Sequence, residues 1–155
     1  MAFITSTGRF LPGPPINNEQ IEDVLGYVEG KPSRLKRRIL KSNGITTRHY
    51  AINADHETTH QNEDLATAAA RVCMESSPLE ASDIGLLSCA TSQGDMVLPG
   101  FGSMVQGQLG MESVELMTTH GICSCGAMAI KAAYNSVKVG DHKAALVVSL
   151  SLIHI

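Results

Sequence analysis

VELMTTHGICSCGAMAIKAAYNSVKVGDHKAALVV, residues 114–148, reads as a strand, a tight turn, a helix and a second strand in succession. Val114–Thr119 has strand composition, and His120-Gly121 supply the turn. A helix is expected to open at Cys123 or Ser124 and run to about Val139. Ala144–Val148 then has the unbroken apolar character of a buried strand. Two strands linked by a helix form a parallel crossover unit. The preceding segments extend the pattern. Ile84–Ala90 (IGLLSCA) is an apolar run of strand length, as expected of a strand covered on both faces. Glu63–Ser76 predicts a helix capped by Asn62, with Leu65, Ala68, Ala69 and Val72 as its buried stripe and Pro78 as its stop. Strands alternating with helices predict an α/β fold with a mostly parallel sheet and covering helices.

The first third of the chain is less regular. Ala2–Thr7 reads as a short strand and Gly8–Pro15 as a loop. Asn17 and Asn18 are candidate caps for a helix whose apolar positions are Ile21, Val24, Leu25 and Val28. A basic helix follows over Ser33–Ser42, with Asn43-Gly44 as a left-handed cap. Thr46–Ile52 has strand composition. Gly94–Gly110 is Gly-rich, with a short helix expected over Met104–Leu109. It holds neither a GxGxxG nor a P-loop lysine motif, which argues against nucleotide binding.

The chain has 155 residues, 43% hydrophobic and 17% charged, enough for one domain with a real core and too apolar for wholesale disorder. A net charge of −3 gives no reason to expect nucleic acid. No apolar run reaches the roughly 18–20 residues of a membrane helix, so no membrane partner is expected. The opening MAFITSTGRF lacks a secretory pattern, so a cytoplasmic setting with reduced thiols is expected. Charge is uneven: eight basic and four acidic residues precede His49, against four and eleven from there on. Arg34, Lys36, Arg37, Arg38 and Lys41 crowd one short helix. Such a group is either a solvated face or a docking patch for an acidic or phosphate-bearing partner.

Of the four cysteines, Cys73 and Cys89 sit in apolar runs and are expected in the core. No metal site is expected, because only Cys123 and Cys125 are close in sequence; the His and acidic residues at Asp55, His56, Glu57 and His60 are irregularly spaced. Cys123 falls at the first turn of a small-residue helix, where unpaired N–H groups and the dipole favour a thiolate. Helical spacing groups Cys123 with Ala127, Ile130, Tyr134 and Val137, so the thiol is expected to point into a covered apolar cavity. A thiol so placed suits acyl transfer: it exchanges with a thioester and holds the acyl group covalently. His120 and His49 read as loop or structural residues, and Arg48 as a brace.

CSCGAMAI resembles the C-[SA]-[SA]-G-x-x-A-[IL] nucleophile turn of thiolase-superfamily condensing enzymes. NGITTRHYAI resembles the N-terminal G-I-x-x-R-[HY] signature of β-ketoacyl-acyl-carrier-protein synthase III. LATAAARVCM, DIGLLSCAT and VKVGDHKAALVV fall in that family's order and spacing. The resemblance runs from Ala2 to Val148 and implies the N-terminal half of a thiolase-like fold.

By that resemblance Cys123 is the catalytic nucleophile and its N–H one oxyanion-hole donor, while Cys125 falls where relatives have a small residue. A register slip would exchange the two cysteines. The implied activity is acyl transfer to Cys123 followed by decarboxylative Claisen condensation with a malonyl thioester, in fatty-acid or polyketide-type synthesis. No permanent cofactor is implied. The implied partners are acyl carrier protein or coenzyme A thioesters, with a homodimer at full length. Arg37, Arg38 and Lys41 become candidate phosphate or carrier-protein contacts. The chain lacks the Trp that coenzyme A-primed members often carry, which leaves the carrier open.

The family's catalytic His and Asn (or Glu) belong to its second half, and neither Asn53, Asn62 nor any histidine here falls at those positions. Alternatives are a non-condensing acyltransferase, a hydroxymethylglutaryl-synthase-like enzyme, or a non-catalytic half-domain that docks a partner. Met96, Val97, Leu98 and Phe101 are candidates to shape an acyl channel or cross to a partner subunit. The last six residues, LSLIHI, look like a translated sequencing adapter. Residues 1–148 are therefore expected to form the half-domain, and 149–155 an artefactual tail.

Overall fold

The computed structural model describes residues 1–151, which form two compact units. Residues 11–60 make the smaller one. In it β1 (Ile16–Asn17) pairs antiparallel with β2 (Thr47–Arg48). Between them lie α1 (Ile21–Leu25) and α2 (Lys36–Asn43). The Asn17 side chain accepts from the Glu19 and Gln20 amides at 2.9 and 3.1 Å, but α1 is shorter than its periodicity predicts. It stops at Gly26, whose φ of 84° breaks the helix and leaves Val28 exposed. Asn18 does not cap. It donates to the Ile45 carbonyl (3.0 Å) and accepts from buried Arg48 (2.9 Å), so Arg48 is the expected brace. Gly44 ends α2 in the left-handed conformation, as its sequence predicts. The strand expected over Thr46–Ile52 contracts to two residues, because β1 offers only two partners.

The second unit comprises residues 1–10 and the described residues from 61 to 151. Its centre is β3 (Ile84–Thr91), flanked in parallel by β4 (Glu115–Thr119) and β5 (Ala144–Leu150), in the order β4-β3-β5. The register sets Cys89 opposite Thr118 on one side and Val148 on the other. α3 (Asn62–Glu75) and α4 (Phe101–Leu109) pack on one face, against Leu87, Cys89, Leu146 and Val148. α5 (Cys125–Val139) packs on the other, against Ala90 and Val147. Side chains alternate along a strand, so β3 is buried from Leu86 to Thr91 on both faces, as its continuous apolar run predicts.

Five details differ from the sequence reading. Ala2–Thr7 joins no sheet ladder among the described residues; Ser6 Oγ instead lies 3.3 Å from Cys73 Sγ on α3. α3 is preceded by Gln61, whose amide donates to Asp64 (2.8 Å), while Asn62 is its first helical residue. The buried face of α3 is Leu65, Ala66, Thr67 and Ala70, with Val72 exposed and Ala68 and Ala69 half-buried, because the helix is rotated towards α4. α4 begins at Phe101, three residues earlier than expected, with Gly100 before it. Of the tail, Ser149 and Leu150 continue β5, and residues 152–155 lie outside the described residues.

The rotation of α3 has a measurable consequence. Ala70 is 3% exposed against the sheet and Val72 is 41% exposed. Ala70→Leu is expected to cost about 1–3 kcal/mol by overpacking, and Val72→Ala to stay within about 0.5 kcal/mol. Chemical denaturation checks both, and a larger loss at Val72 would restore the unrotated face.

Candidate active site

Thr119 ends β4, and the chain reaches α5 through His120, Gly121 and a 3₁₀ turn over Ile122–Ser124. Cys123 is the middle residue of that turn. Inside it, the Ser124 hydroxyl and amide both donate to the Gly121 carbonyl, at 2.8 and 3.1 Å. The Thr119 hydroxyl donates across the turn to the Cys125 carbonyl (3.1 Å), with the Cys89 carbonyl of β3 3.4 Å away as its alternative acceptor. Ile122 has φ of +50°, a left-handed conformation that costs a β-branched residue roughly 1–3 kcal/mol. The strain lies one residue before the candidate nucleophile.

The two cysteines of the C-x-C part company. Cys125 is 5% exposed and packs with Ala90 and Ala129, whereas Cys123 is exposed. At about 100° per residue, positions two apart on a helix face nearly opposite ways. The expected covered position of Cys123 is therefore corrected. α5 turns Cys125, Ala129 and Ala133 to the sheet, leaving Ala127, Ile130 and Tyr134 exposed along its outer side. Small residues are required on the sheet side because the helix lies close to it. The Ser88 hydroxyl donates to the Ala129 carbonyl at 3.2 Å, and a Cβ on Gly126 would stand 2.7 Å from Ser149 Oγ. Cys89 is fully buried, and burial pushes its thiol up to about 12.

Beside this turn a cavity of about 500 Å³ is lined by residues of the β3–α4 loop, Phe101 and His120; Cys123 is not among its lining residues. The loop is anchored to the start of α3. The Asn62 amide donates to Asp95 (2.7 Å) and its side-chain amide to the Gln93 carbonyl (3.3 Å). Neighbouring Glu63 Oε2 is buried and unpartnered among the described residues. Burial, then the Asp95 and Asp64 carboxylates, hold the Glu63 carboxyl above its usual range. At the loop's tip Met96, Val97 and Leu98 are exposed, while Phe101 is buried.

Arg37, Arg38 and Lys41 belong to the smaller unit. All three are exposed on α2 and make no side-chain bond among the described residues, whereas Lys36 is paired with Glu22. His49 Nδ1 donates to the carbonyls of Pro12 and Gly13, both at 3.1 Å, in the structural role expected of it. Around Asp55 and Glu57 the turn is held by the Asn53 side chain. Sequence reasoning missed the Thr119 bridge, because a threonine at a strand end carries no signal beyond strand propensity. It also missed the Asn62–Asp95 link, which joins residues 33 positions apart.

No family model matches the chain. The chain is 36% identical to β-ketoacyl-[acyl-carrier-protein] synthase III of Thiobacillus denitrificans, over 94% of its own length and 42% of the relative's. The structure matches that of AbyA1, a tetronic acid condensing enzyme, with a TM-score of 0.79 at 25% identity, covering 94% of this chain and 44% of that one. It shares its fold with 3-oxoacyl-[acyl-carrier-protein] synthase III of Aquifex aeolicus, with a TM-score of 0.77 at 23% identity over 96% and 44% of the two chains. The chain is thus similar to the β-ketoacyl-acyl-carrier-protein synthase III enzymes over nearly its whole length, and its α/β fold is thiolase-like. It spans about two fifths of the length of the curated relative.

Two outcomes are expected. Iodoacetamide should modify Cys123 first in the native chain and reach Cys89 and Cys125 only on unfolding; peptide mapping that finds Cys125 modified before Cys123 would reverse their assignment. Glu63 has a folded-state value above its unfolded one, so its stabilisation is complete at pH below the ordinary carboxylate range and is lost as pH rises through the raised value. The melting temperature should accordingly show a downward component as pH rises above the ordinary carboxylate range that Glu63→Gln removes. An unaltered profile in the variant would contradict the assignment.

Proposed function

We propose that Cys123 is an acyl-accepting nucleophile, and that the chain is the N-terminal part of a condensing enzyme that joins its acyl group to a malonyl unit. The observation that carries this is an exposed thiol in the turn between a parallel strand and the N-terminus of a 15-residue helix, in a chain resembling synthase III. The helix N-terminus favours the anions of the reaction, first a thiolate and then the oxyanion of the tetrahedral intermediate. The Cys123 sulfur attacks the thioester carbonyl, a new carbon–sulfur bond forms, and the carrier thiolate leaves and takes up a proton. Decarboxylation of a malonyl thioester then supplies the carbanion that attacks the acyl-Cys123 carbonyl, releasing the product and restoring the thiol. The groups that assist decarboxylation belong, by the resemblance, to a second half of the fold.

The carrier is an acyl carrier protein or coenzyme A, in a cytoplasmic enzyme that dimerises at full length. Arg37, Arg38 and Lys41 are exposed cations suited to a phosphate or an acidic protein. Exposed Met96, Val97 and Leu98 suit contact with a partner subunit. Exposed Ile122 beside Cys123 favours one further reading, in which a partner polypeptide supplies the second half. Residues 149–155 are proposed to be foreign to the parent protein, on the likeness of LSLIHI to adapter sequence.

Intact-mass analysis with a short-chain acyl thioester tests the first step. Cys123→Ala is expected to abolish the acyl mass increment, and Cys125→Ala to retain it. With malonyl thioester added, the 155-residue chain alone is expected to release no β-ketoacyl product. An increment that survives Cys123→Ala would remove the nucleophile, and β-ketoacyl product from this chain alone would show that no second half is needed.

A further inference from the structure

The strained backbone at Ile122 persists only if its surroundings hold it. Inside the turn, the Ser124 bonds to Gly121 close only four residues, all of them on the helix side of Thr119. The bond from Thr119 Oγ1 to the Cys125 carbonyl closes the ring around the whole segment and is made by the last residue of β4. The Cys89 carbonyl within reach of the same hydroxyl belongs to the central strand. One hydroxyl thus stands where the sheet, the strained turn and the first carbonyl of α5 meet.

We propose that Thr119 is a positioning residue, whose hydroxyl clamps the Ile122–Ser124 turn to the sheet and holds Cys123 in the geometry for thioester attack. The catalytic part of this inference rests on the proposed role of Cys123; the clamp itself does not. Thr119→Val keeps the shape and strand propensity of the side chain and removes only the donor, while Thr119→Ser keeps the donor.

A neutral hydrogen bond of ordinary strength makes the local opening of the turn roughly three- to tenfold rarer. Two readouts separate clamp from chemistry. Amide hydrogen exchange over residues 121–125 of the full chain should quicken about three- to tenfold in Thr119→Val and return to the wild-type rate in Thr119→Ser. The rate of acyl transfer from a short-chain acyl-coenzyme A to Cys123 should fall by a similar factor in Thr119→Val and recover in Thr119→Ser, at unchanged circular dichroism. Unchanged acyl transfer in Thr119→Val, or a serine variant as slow as the valine one, overturns the positioning role. If the wild-type chain takes no acyl group, the proposed function of Cys123 fails, and exchange alone decides the clamp: equal rates in all three proteins overturn it. If Thr119→Val loses its fold, equal exchange and acyl-transfer rates in Thr119→Ser and wild type support the hydroxyl, and a slow, loosened Thr119→Ser overturns it.

Discussion

Burial of β3 on both faces is the constraint from which the rest of the larger unit follows. A strand with parallel neighbours on each side and helices above and below has no solvent face. Its side chains must therefore fit two different packings. Leu87 and Cys89 meet α3 and α4, while Ser88 and Ala90 meet α5. The second packing is the tighter. Ser88 and Ala90 are small, and they let α5 approach until Ser88 bonds directly to the Ala129 carbonyl. That approach admits only small residues on the helix side, which accounts for Cys125, Ala129 and Ala133.

Once Cys125 is committed to the sheet, helical geometry sends Cys123 outward. The two thiols of one C-x-C motif thus receive different chemistry from packing alone. The inner one fills a space, and the outer one lies at the surface. Ile122, next to Cys123, is exposed, and so are Ile130 and Tyr134 further along α5.

Much of this was legible in the sequence, and the reasons differ by element. IGLLSCA could be recognised as a doubly covered strand because no position in it tolerates water. The turn at Cys123 could be recognised because glycine, cysteine and a run of small residues follow a strand directly. Finer orientation was not legible. On α3 and α5 alanine fills several faces, so periodicity alone does not say which alanines are inside; the tertiary partners decide. The N-terminal AFITST has strand composition, yet composition cannot supply a neighbouring strand, and the segment lies against α3 instead. Thr119 and Asp95 act through partners distant in sequence or through a backbone carbonyl, and neither leaves a pattern.

The central claim is that the outer thiol of the C-x-C, and not the inner one, faces the substrate. The most direct measurement is tandem mass spectrometry of peptides from the wild-type chain after brief exposure to a short-chain acyl thioester. The account predicts the acyl group on Cys123, with Cys125 unmodified in the same peptide. An acyl group on Cys125 would contradict it, because the packing of α5 on the sheet would then have to be other than described.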